Sequence, residues 1–318
     1  MDYSIGIDIG GTNTVIGLVD NTGTVVEKEK LKTRDFTKTD DYLKAITAKI
    51  ELLADRVKEE NLILGVGIGA PNGNYYHGTI EYAPNLPFEG IIELKEILEV
   101  LLLKDGYNLK VTVTNDANAA AIGEMIYGKA KKVKNFIMIT LGTGVGSGIV
   151  VDGKLVYGHT GFAGEVGHTI IEPNGRQCNC GRKGCVERYA SATGIVLTIK
   201  EMLDKSAEES VLRAIDRDEI TSKDIYEAAL KGDKLALDCF DYTAKQLALG
   251  IANASEITSP EKVYLFGGLA KSGDFLLIPL KKYLNEFLFN VFQNTIDVEL
   301  SGLKEEDAAV LGAAALCY

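Results

Sequence analysis

A pattern of strand, glycine-rich turn, strand and second turn occurs twice in this chain of 318 residues, and it limits the possible folds more than any other feature. The first copy covers residues 4–25 and turns at Gly10-Gly11-Thr12-Asn13. The second covers residues 136–156 and turns at Gly142-Thr143-Gly144-Val145-Gly146. Two copies of one supersecondary unit indicate duplicated α/β domains that face each other. Glycine-rich hairpins are also common singly, so this pattern alone leaves an unduplicated fold open.

Helices are predicted between the strands from apolar residues at three- and four-residue steps. The segment 39–60 is one example, with Leu43, Ile46 and Ile50 on one face. Further helices are expected over 92–103, 276–292 and 306–316, and short strands over 63–68, 110–114 and 262–266. Alternating strands and helices are typical of α/β proteins.

The formal net charge of −11 argues against binding to nucleic acid, because that binding needs Lys and Arg to replace counterions on the phosphates. Asp2 and Asp8 flank the first apolar run, so no secretory signal is predicted. No apolar run approaches the length that crosses a bilayer. We therefore expect a cytoplasmic protein whose partners include neither nucleic acid nor a membrane.

Three of the five cysteines lie within eight residues, at Cys178, Cys180 and Cys185, and His168 precedes them. Zinc commonly binds three Cys and one His in tetrahedral geometry, and short spacings let one turn supply several thiolates. A disulfide with one free thiol is the alternative, but a cysteine cluster in a cytosolic protein more often binds metal. We expect a structural Zn²⁺, since four protein ligands leave no position open for water.

Glycine turns after three strands are candidate nucleotide sites, because glycine lets backbone N–H groups approach phosphate oxygens. The first turn follows Asp8, whose carboxylate could hold a Mg²⁺ ion that bridges phosphates. The second is Gly142-Thr143-Gly144, and Gly267-Gly268 could lie against a base or ribose. An ordinary hairpin turn, or a helix start for Gly267-Gly268, is the alternative at each place. The expected nucleotide ligands are Asp8, Gly10, Gly11, Thr12, Gly142, Thr143, Gly144, Gly267 and Gly268.

Asp116 follows a strand and begins a helix, so its carboxylate is a candidate general base for a sugar hydroxyl that attacks phosphorus. Capping of the helix by Asn115 or Asp116 is the alternative, and both roles are compatible. Asn85, Glu165 and Glu187 add groups that can bind vicinal hydroxyls. A metal-bound His168 would keep its second ring nitrogen for a ligand or an orienting partner.

These residues also fall in motifs that resemble the ROK family of sugar kinases and repressors, and its bacterial glucokinases above all. The resemblance covers nearly the whole chain. It rests on IGIDIGGTNT, GIGAPN, the Pro84-Asn85 loop, NDANAAA, TLGTGVGSGIV, GFAGEVGHT, CNCGRKGCVERYASATG and FGG. The resemblance implies a duplicated ribonuclease-H-like fold, as in actin and hexokinase, with an interdomain cleft. It further implies a small domain of residues 1–117 plus 301–318 and a large domain of residues 118–300 that carries the zinc.

The same resemblance assigns roles to individual residues. Asp116 is the implied catalytic base, and the implied metal ligands are His168, Cys178, Cys180 and Cys185. The implied sugar ligands are Asn85, Asn115, Asp116, Glu165, His168 and Glu187. ATP and Mg²⁺ are the expected cofactors beside structural Zn²⁺, and a homodimer or homotetramer is expected.

The resemblance favours phosphorylation of glucose at its 6-hydroxyl, with ATP or polyphosphate as the donor. Other hexoses and N-acetylhexosamines stay open, because the pocket around the 2-substituent decides between them. These are N-acetylglucosamine, N-acetylmannosamine, fructose, mannose and allose. A non-enzymatic sugar-sensing repressor is the alternative of another class. It is disfavoured because such repressors carry a DNA-binding domain before the first glycine turn, whereas here a strand starts by Tyr3.

Overall fold

The computed structural model describes residues 2–57 and 62–318. In chain order the elements are β1 (Asp2–Ile9), β2 (Thr14–Asp20), β3 (Val25–Leu31), α1 (Thr39–Asp55), β4 (Leu62–Ala70), β5 (Gly73–Asn74), β6 (Thr79–Glu81), β7 (Ile91–Ile92), α2 (Leu94–Lys104), β8 (Val111–Asn115) and α3 (Asp116–Ile126). They continue with β9 (Phe136–Leu141), β10 (Val145–Val151), β11 (Lys154–Leu155), α4 (Glu187–Ala190), α5 (Ala192–Lys205), α6 (Ser222–Leu230), α7 (Lys234–Thr258), β12 (Lys262–Phe266), α8 (Asp274–Phe287), β13 (Asp297–Leu300) and α9 (Glu305–Ala314).

Two sheets of the described chain have matching topology, with the orders β3-β2-β1-β4-β8 and β11-β10-β9-β12-β13. β1 is antiparallel to β2 and parallel to β4, and β9 is antiparallel to β10 and parallel to β12. The repeated pattern in the sequence therefore corresponds to a repeated sheet. This confirms the predicted α/β fold of two similar units. A small sheet of β5, β6 and β7 is inserted between β4 and β8.

The chain divides into two compact units. The first comprises Met1–Val133, Lys154–Gly164 and Gly302–Tyr318, and the second comprises Lys134–Gly153 and Glu165–Ser301. This division differs from the boundary expected at residue 117, because α3 packs closely on α9. A Cβ atom added to Gly123 would lie 2.8 Å from the Cα of Gly312. Residues 118–133 and 154–164, expected in the large domain, lie in the first unit, and Ser301, expected in the small domain, lies in the second.

The sheet of the first unit is covered differently on its two faces. Ile5, Ile7 and Ile68 are fully buried in one cluster with residues of α1 and α2. On the other face Gly6 and Gly67 meet α9 without side chains. A Cβ atom on Gly67 would lie 1.9 Å from the carbonyl oxygen of Ala313. Glycine in these strands thus allows close approach of the helix backbone.

The core of the second unit lies between its sheet and a group of helices. Ile137, Ile139 and Val263 of the central strands are fully buried, as are Phe240 and Leu247 of α7. None of the described helices is both long enough and apolar enough to cross a lipid bilayer.

Two helices are shorter than their apolar periodicity predicts. The helix expected over 39–60 ends at Asp55, and residues 58–60 of that prediction lie outside the described residues. The helix expected over 276–292 runs from Asp274 to Phe287, since Leu288 adopts an extended backbone. A separate 3-10 turn follows at Asn290–Phe292.

Candidate functional site

The carboxyl ends of three neighbouring parallel strands bring the acidic candidates of the first unit together. β1 pairs with β4 so that Asp8 is opposite Gly69, and β4 pairs with β8 so that Ala70 is opposite Asn115. Asp116 follows directly. Open α/β sheets bind their ligands at this edge. The strand order therefore explains why residues more than 100 positions apart in sequence reach one place.

The first glycine turn lies under the Pro84-Asn85 loop. A Cβ atom added to Gly11 would lie 2.2 Å from the carbonyl oxygen of Asn85, so a larger residue cannot fit there. The turn is closed by a hydrogen bond from Gly10 N–H to the Asn13 carbonyl, at 2.9 Å. Thr12 and Asn85 are exposed. Two candidates from separate motifs, one for phosphate and one for sugar, thus lie next to each other.

Asp116 lies at the start of α3 and is accessible to solvent. Its Oδ1 atom accepts a hydrogen bond from Ala117 N–H at 2.8 Å, and the Asn115 side chain accepts from the same N–H group at 2.8 Å. Asn115 is therefore the helix cap, and the Asp116 carboxylate lies beside it at the start of the helix. This confirms the capping role of Asn115, whereas the catalytic role of Asp116 stays a prediction.

Loss of water around both carboxylates perturbs their ionisation. Burial raises the pKa of Asp116, although the hydrogen bond from Ala117 opposes this effect. Burial, and secondly the charge of Asp116, raise the pKa of Asp8 to about 6. Two neighbouring carboxylates disfavour each other's charged form. A divalent cation at Asp8 would relieve that repulsion, so the residues present fit Mg²⁺.

The two glycine turns of the second unit also lie at one sheet edge. β9 and β12 are parallel, and Phe266 is opposite Thr140, so both strands end beside each other. Gly267 has a φ of +100°, and a Cβ atom on it would lie 2.7 Å from the Leu141 carbonyl oxygen. A Cβ atom on Gly142 or Gly268 would meet no atom within 4 Å. Packing therefore does not demand glycine at these two positions, whereas the approach of a ligand would.

Glu187 joins the second glycine turn to the cysteine cluster. Its Oε2 atom accepts a hydrogen bond from Val145 N–H at 3.1 Å, and its Oε1 atom lies 3.8 Å from Cys178 Sγ. A Cβ atom on Gly144 would lie 2.3 Å from Oε2. Glu165, by contrast, is exposed just before the 3-10 turn Val166–His168.

The side chains of His168, Cys178, Cys180 and Cys185 converge. Their potential ligand atoms all lie within 4.8 Å of one another. Cys180 Sγ is 3.6 Å from Cys185 Sγ, and Cys178 Sγ is 3.8 Å from His168 Nδ1. A zinc–sulfur bond of about 2.3 Å in a tetrahedron separates the sulfur atoms by about 3.8 Å. All five cysteines are free, and the donor set fits Zn²⁺ in type and spacing.

The three clustered thiols differ in how easily they ionise. Burial, together with the neighbouring thiols, raises the pKa of Cys185 to about 12. At Cys180 burial is outweighed by hydrogen bonds from the backbone and side chain of Arg182, which lower its pKa to about 6. Without a cation Cys185 would therefore hold a neutral thiol, whereas a bound metal ion favours the thiolate form of its ligands.

Arg176 is a functional candidate that the sequence interpretation missed. Its guanidinium donates to both carboxylate oxygens of Glu201, at 2.8 and 2.9 Å, and to the carbonyl of Arg188 at 2.7 Å. It also lies 4.6 Å from the centre of the Tyr189 ring. Arg176 thereby fixes the cysteine loop to α4 and α5. Its signal in the sequence is weak, namely an arginine two residues before Cys178.

The candidates thus form one group in each unit. The first unit holds Asp8, Gly10, Gly11, Thr12, Asn85, Asn115 and Asp116, and the second holds Gly142, Thr143, Gly144, Glu165, His168, Cys178, Cys180, Cys185, Glu187, Gly267 and Gly268. Each group combines a glycine turn with carboxylates. Such a combination can bind phosphate, a divalent cation and hydroxyl groups.

The matching sheets, each with a glycine turn at its parallel edge, define a two-domain α/β protein with the actin- and hexokinase-like ATPase fold. Residues 4–318 match the ROK family model. The chain is 36% identical to a glucokinase of Halalkalibacterium halodurans over 319 residues, which covers 98% of this chain and 93% of that protein. This protein therefore belongs to the ROK family.

Two further relatives show the range of that similarity. A ROK family glucokinase from Streptomyces griseus, solved in complex with glucose and AMPPNP, has 33% identity and a TM-score of 0.77, with 99% of this chain and 98% of that chain covered. A xylose repressor of Caldicellulosiruptor bescii is 32% identical over 98% of this chain and 77% of its own length. Enzymes and regulators thus share this sequence pattern.

Proposed function

We propose that the protein transfers the γ-phosphoryl group of ATP to the 6-hydroxyl of glucose. The observation that carries this proposal is the similarity, over nearly the full length, to glucokinases, one of which is solved with glucose and an ATP analogue. The carboxylate and glycine-turn groups of both units supply the chemistry that such a transfer needs.

Asp116 is the proposed general base. It would accept the 6-hydroxyl proton as the hydroxyl oxygen bonds to the γ-phosphorus, while the bond from that phosphorus to the β–γ bridging oxygen breaks and ADP leaves. An accessible carboxylate with a raised pKa suits this role, since a base works best when its pKa is near the working pH. Because Oδ1 is held by Ala117 N–H, the other oxygen can meet the substrate.

The glycine turns and Asp8 are the proposed site for the nucleotide and its metal ion. Gly10 to Thr12 and Gly142 to Gly144 would donate N–H groups to phosphate oxygens, and Gly267-Gly268 would lie against adenosine. Asp8 would hold Mg²⁺, which neutralises charge on the phosphates.

The sugar hydroxyls are assigned to Asn85, Asn115, Asp116, Glu165, His168 and Glu187. Glu187 has its Oε2 atom engaged with Val145 N–H, so its Oε1 atom would face the sugar, and the Glu165 carboxylate would accept a further sugar hydroxyl. Zn²⁺ bound by His168 and the three cysteines would fix the position of His168 and the cysteine loop. With four protein ligands, its role would be structural rather than catalytic.

A second candidate is a sugar-sensing regulator without kinase activity, which the similarity to the xylose repressor favours. Another hexose or N-acetylhexosamine as the substrate is a third. The same hydroxyl ligands would serve several of these sugars, and discrimination depends on the shape of the pocket around the 2-substituent.

The test is a panel of hexoses and N-acetylhexosamines with ATP or polyphosphate as the donor, with formation of the sugar phosphate as the readout. We expect the highest kcat/KM with glucose and ATP. A higher kcat/KM with another sugar would change the assigned substrate but would still support kinase activity. If no sugar is phosphorylated while glucose still binds in calorimetry, the sensor is the better assignment.

A further inference from the structure

The start of α5 is hydrogen-bonded to the second glycine turn. Ala192 N–H donates to the carbonyl of Gly142 at 2.9 Å, and Thr193 Oγ1 donates to the carbonyl of Thr143 at 2.9 Å. Two consecutive carbonyl groups of the turn are thus held by two consecutive residues of the helix. The proposed function gives no role to this SATG segment, Ser191–Gly194.

These two bonds fix the direction of two N–H groups. In a trans peptide the carbonyl and the following N–H point in opposite directions. Holding the carbonyls of Gly142 and Thr143 toward α5 therefore turns the N–H groups of Thr143 and Gly144 away from it. Over residues 2–57 and 62–318 neither N–H group has a protein acceptor. The turn thus presents a fixed pair of donors, which is the arrangement that binds anions.

The helix start that holds the turn is itself held rigidly. Ser191 is buried, and its hydroxyl donates to the Glu187 carbonyl at 2.7 Å and accepts from Gly194 N–H at 2.9 Å. Arg176 donates to the Gly194 carbonyl at 3.3 Å. A Cβ atom on Gly194 would lie 2.8 Å from the carbonyl carbon of Tyr189. This rigid segment can therefore hold the glycine turn in a fixed position.

We propose that Thr193 is a positioning residue for the phosphoryl donor, because its hydroxyl orients the Thr143–Gly144 peptide so that its N–H group meets a phosphate oxygen. Thr193 acts through the turn and does not contact the donor. This inference rests on the proposed function, since it assumes that the turn binds a nucleotide phosphate.

The experiment compares Thr193→Val, Thr193→Ser and Thr198→Val with the unchanged protein. Valine keeps the shape of threonine but removes the donor, whereas serine keeps the hydroxyl. Thr198→Val is the matched control on the same helix, because it removes a hydroxyl that donates to the Gly194 carbonyl and not to the turn. The measurements are the dissociation constant of AMPPNP by calorimetry, the KM values for ATP and sugar, and the melting temperature.

We expect Thr193→Val to weaken AMPPNP binding and to raise the KM for ATP by roughly three- to tenfold, with the KM for sugar unchanged. Thr193→Ser should stay within about twofold of the unchanged protein, as should Thr198→Val. Unaltered AMPPNP binding in Thr193→Val would overturn the proposal, as would an equal rise in both KM values. Calorimetry distinguishes failure of this proposal from failure of the proposed function. If the unchanged protein binds AMPPNP but phosphorylates no sugar, the proposed kinase activity is contradicted. The role of Thr193 can still be tested in that case, because AMPPNP binding is measured without any sugar.

Discussion

Asp116 combines two properties that suit a general base, namely an exposed side chain and a raised pKa. Asp116→Asn keeps the hydrogen bond to Ala117 N–H but cannot accept a proton. We therefore expect kcat to fall by at least about 100-fold while glucose still binds with a similar dissociation constant. Steady-state kinetics and calorimetry on the same variant measure both quantities. Turnover near the original rate would remove Asp116 from this role.

Asp8 makes folding stability depend on pH in a direction opposite to that of most carboxylates. Its folded-state pKa of about 6 lies above its ordinary value of 3.8, so the folded protein binds the proton more tightly. Its contribution to the unfolding free energy is therefore present below about pH 4 and is lost as the pH rises through about 6. Asp8→Asn removes that loss.

We expect the unfolding free energy of Asp8→Asn, relative to the unchanged protein, to rise by up to about 3 kcal/mol between pH 4 and pH 7. Denaturant titrations at several pH values measure it. Asp20→Asn is the control of opposite sign, because hydrogen bonds from Thr22 and Thr24 outweigh burial and lower the pKa of Asp20. A difference for Asp8→Asn that stays constant with pH would contradict the assigned ionisation.

At the scale of residues, the sequence identifies candidate site residues better than it predicts the contacts around them. Asp8 and Asp116 were identifiable because each is next to a strand end and a turn or helix start. The hydrogen bonds of Arg176 were not identifiable, since its partners Glu201 and Arg188 are 25 and 12 residues away. Long-range contacts of that kind leave no periodic trace in the chain.

At the scale of elements, the contact of α9 with β1 and β4 depends on the absence of side chains. Gly67→Ala would place a Cβ atom 1.9 Å from the Ala313 carbonyl oxygen, a backbone atom that cannot move alone. We expect a loss of about 3 kcal/mol or more in the unfolding free energy, measured by chemical denaturation.

Gly268→Ala is the matched control, because Gly268 has a φ of −59° and open space around its Cα atom. Its unfolding free energy should stay within about 0.5 kcal/mol of that of the unchanged protein. Equal losses in both variants would show that the close approach of α9 is not the cause.

The elements that the sequence predicted well are those whose signal is local. The β1–β2 and β9–β10 hairpins carry alternating apolar residues and glycine turns in one stretch. The predicted end of α8 was wrong because Phe289 and Phe292 continue the apolar spacing of the helix beyond Leu288, whose backbone is extended. Strand β13 has four residues and is stabilised by pairing with β12, which lies about 35 positions earlier.

At the scale of the whole molecule, the cysteine cluster and the predicted metal ion can be tested together. We expect about one zinc ion per chain by elemental analysis, and Cys178→Ala should lose it. Cys317→Ala is the matched control and should retain the ion, because Cys317 lies outside the cluster. Chelation should raise the KM for glucose and increase hydrogen exchange over residues 176–187. Protein free of metal with unchanged KM and exchange would contradict a structural zinc.

The division into units was the hardest feature to predict from sequence. Residues 154–164 return to the first unit because Tyr157 stacks on Tyr75 with ring centres 3.9 Å apart, and Asn74 donates to the Thr160 carbonyl at 2.9 Å. These contacts join positions about 80 residues apart and follow no motif. The fold class was predictable from the repeat, whereas the places where the chain changes units were not.

The chain passes between the two units four times, and the helix that lies on the glycine face of β1 and β4 is made after every strand of that sheet. During synthesis on the ribosome, this face stays uncovered until residues 302–318 have emerged. Completion of the first unit must therefore wait for the last part of the chain. Neither half can be obtained by cutting the gene at one point, and a shortened product would expose a sheet that invites aggregation.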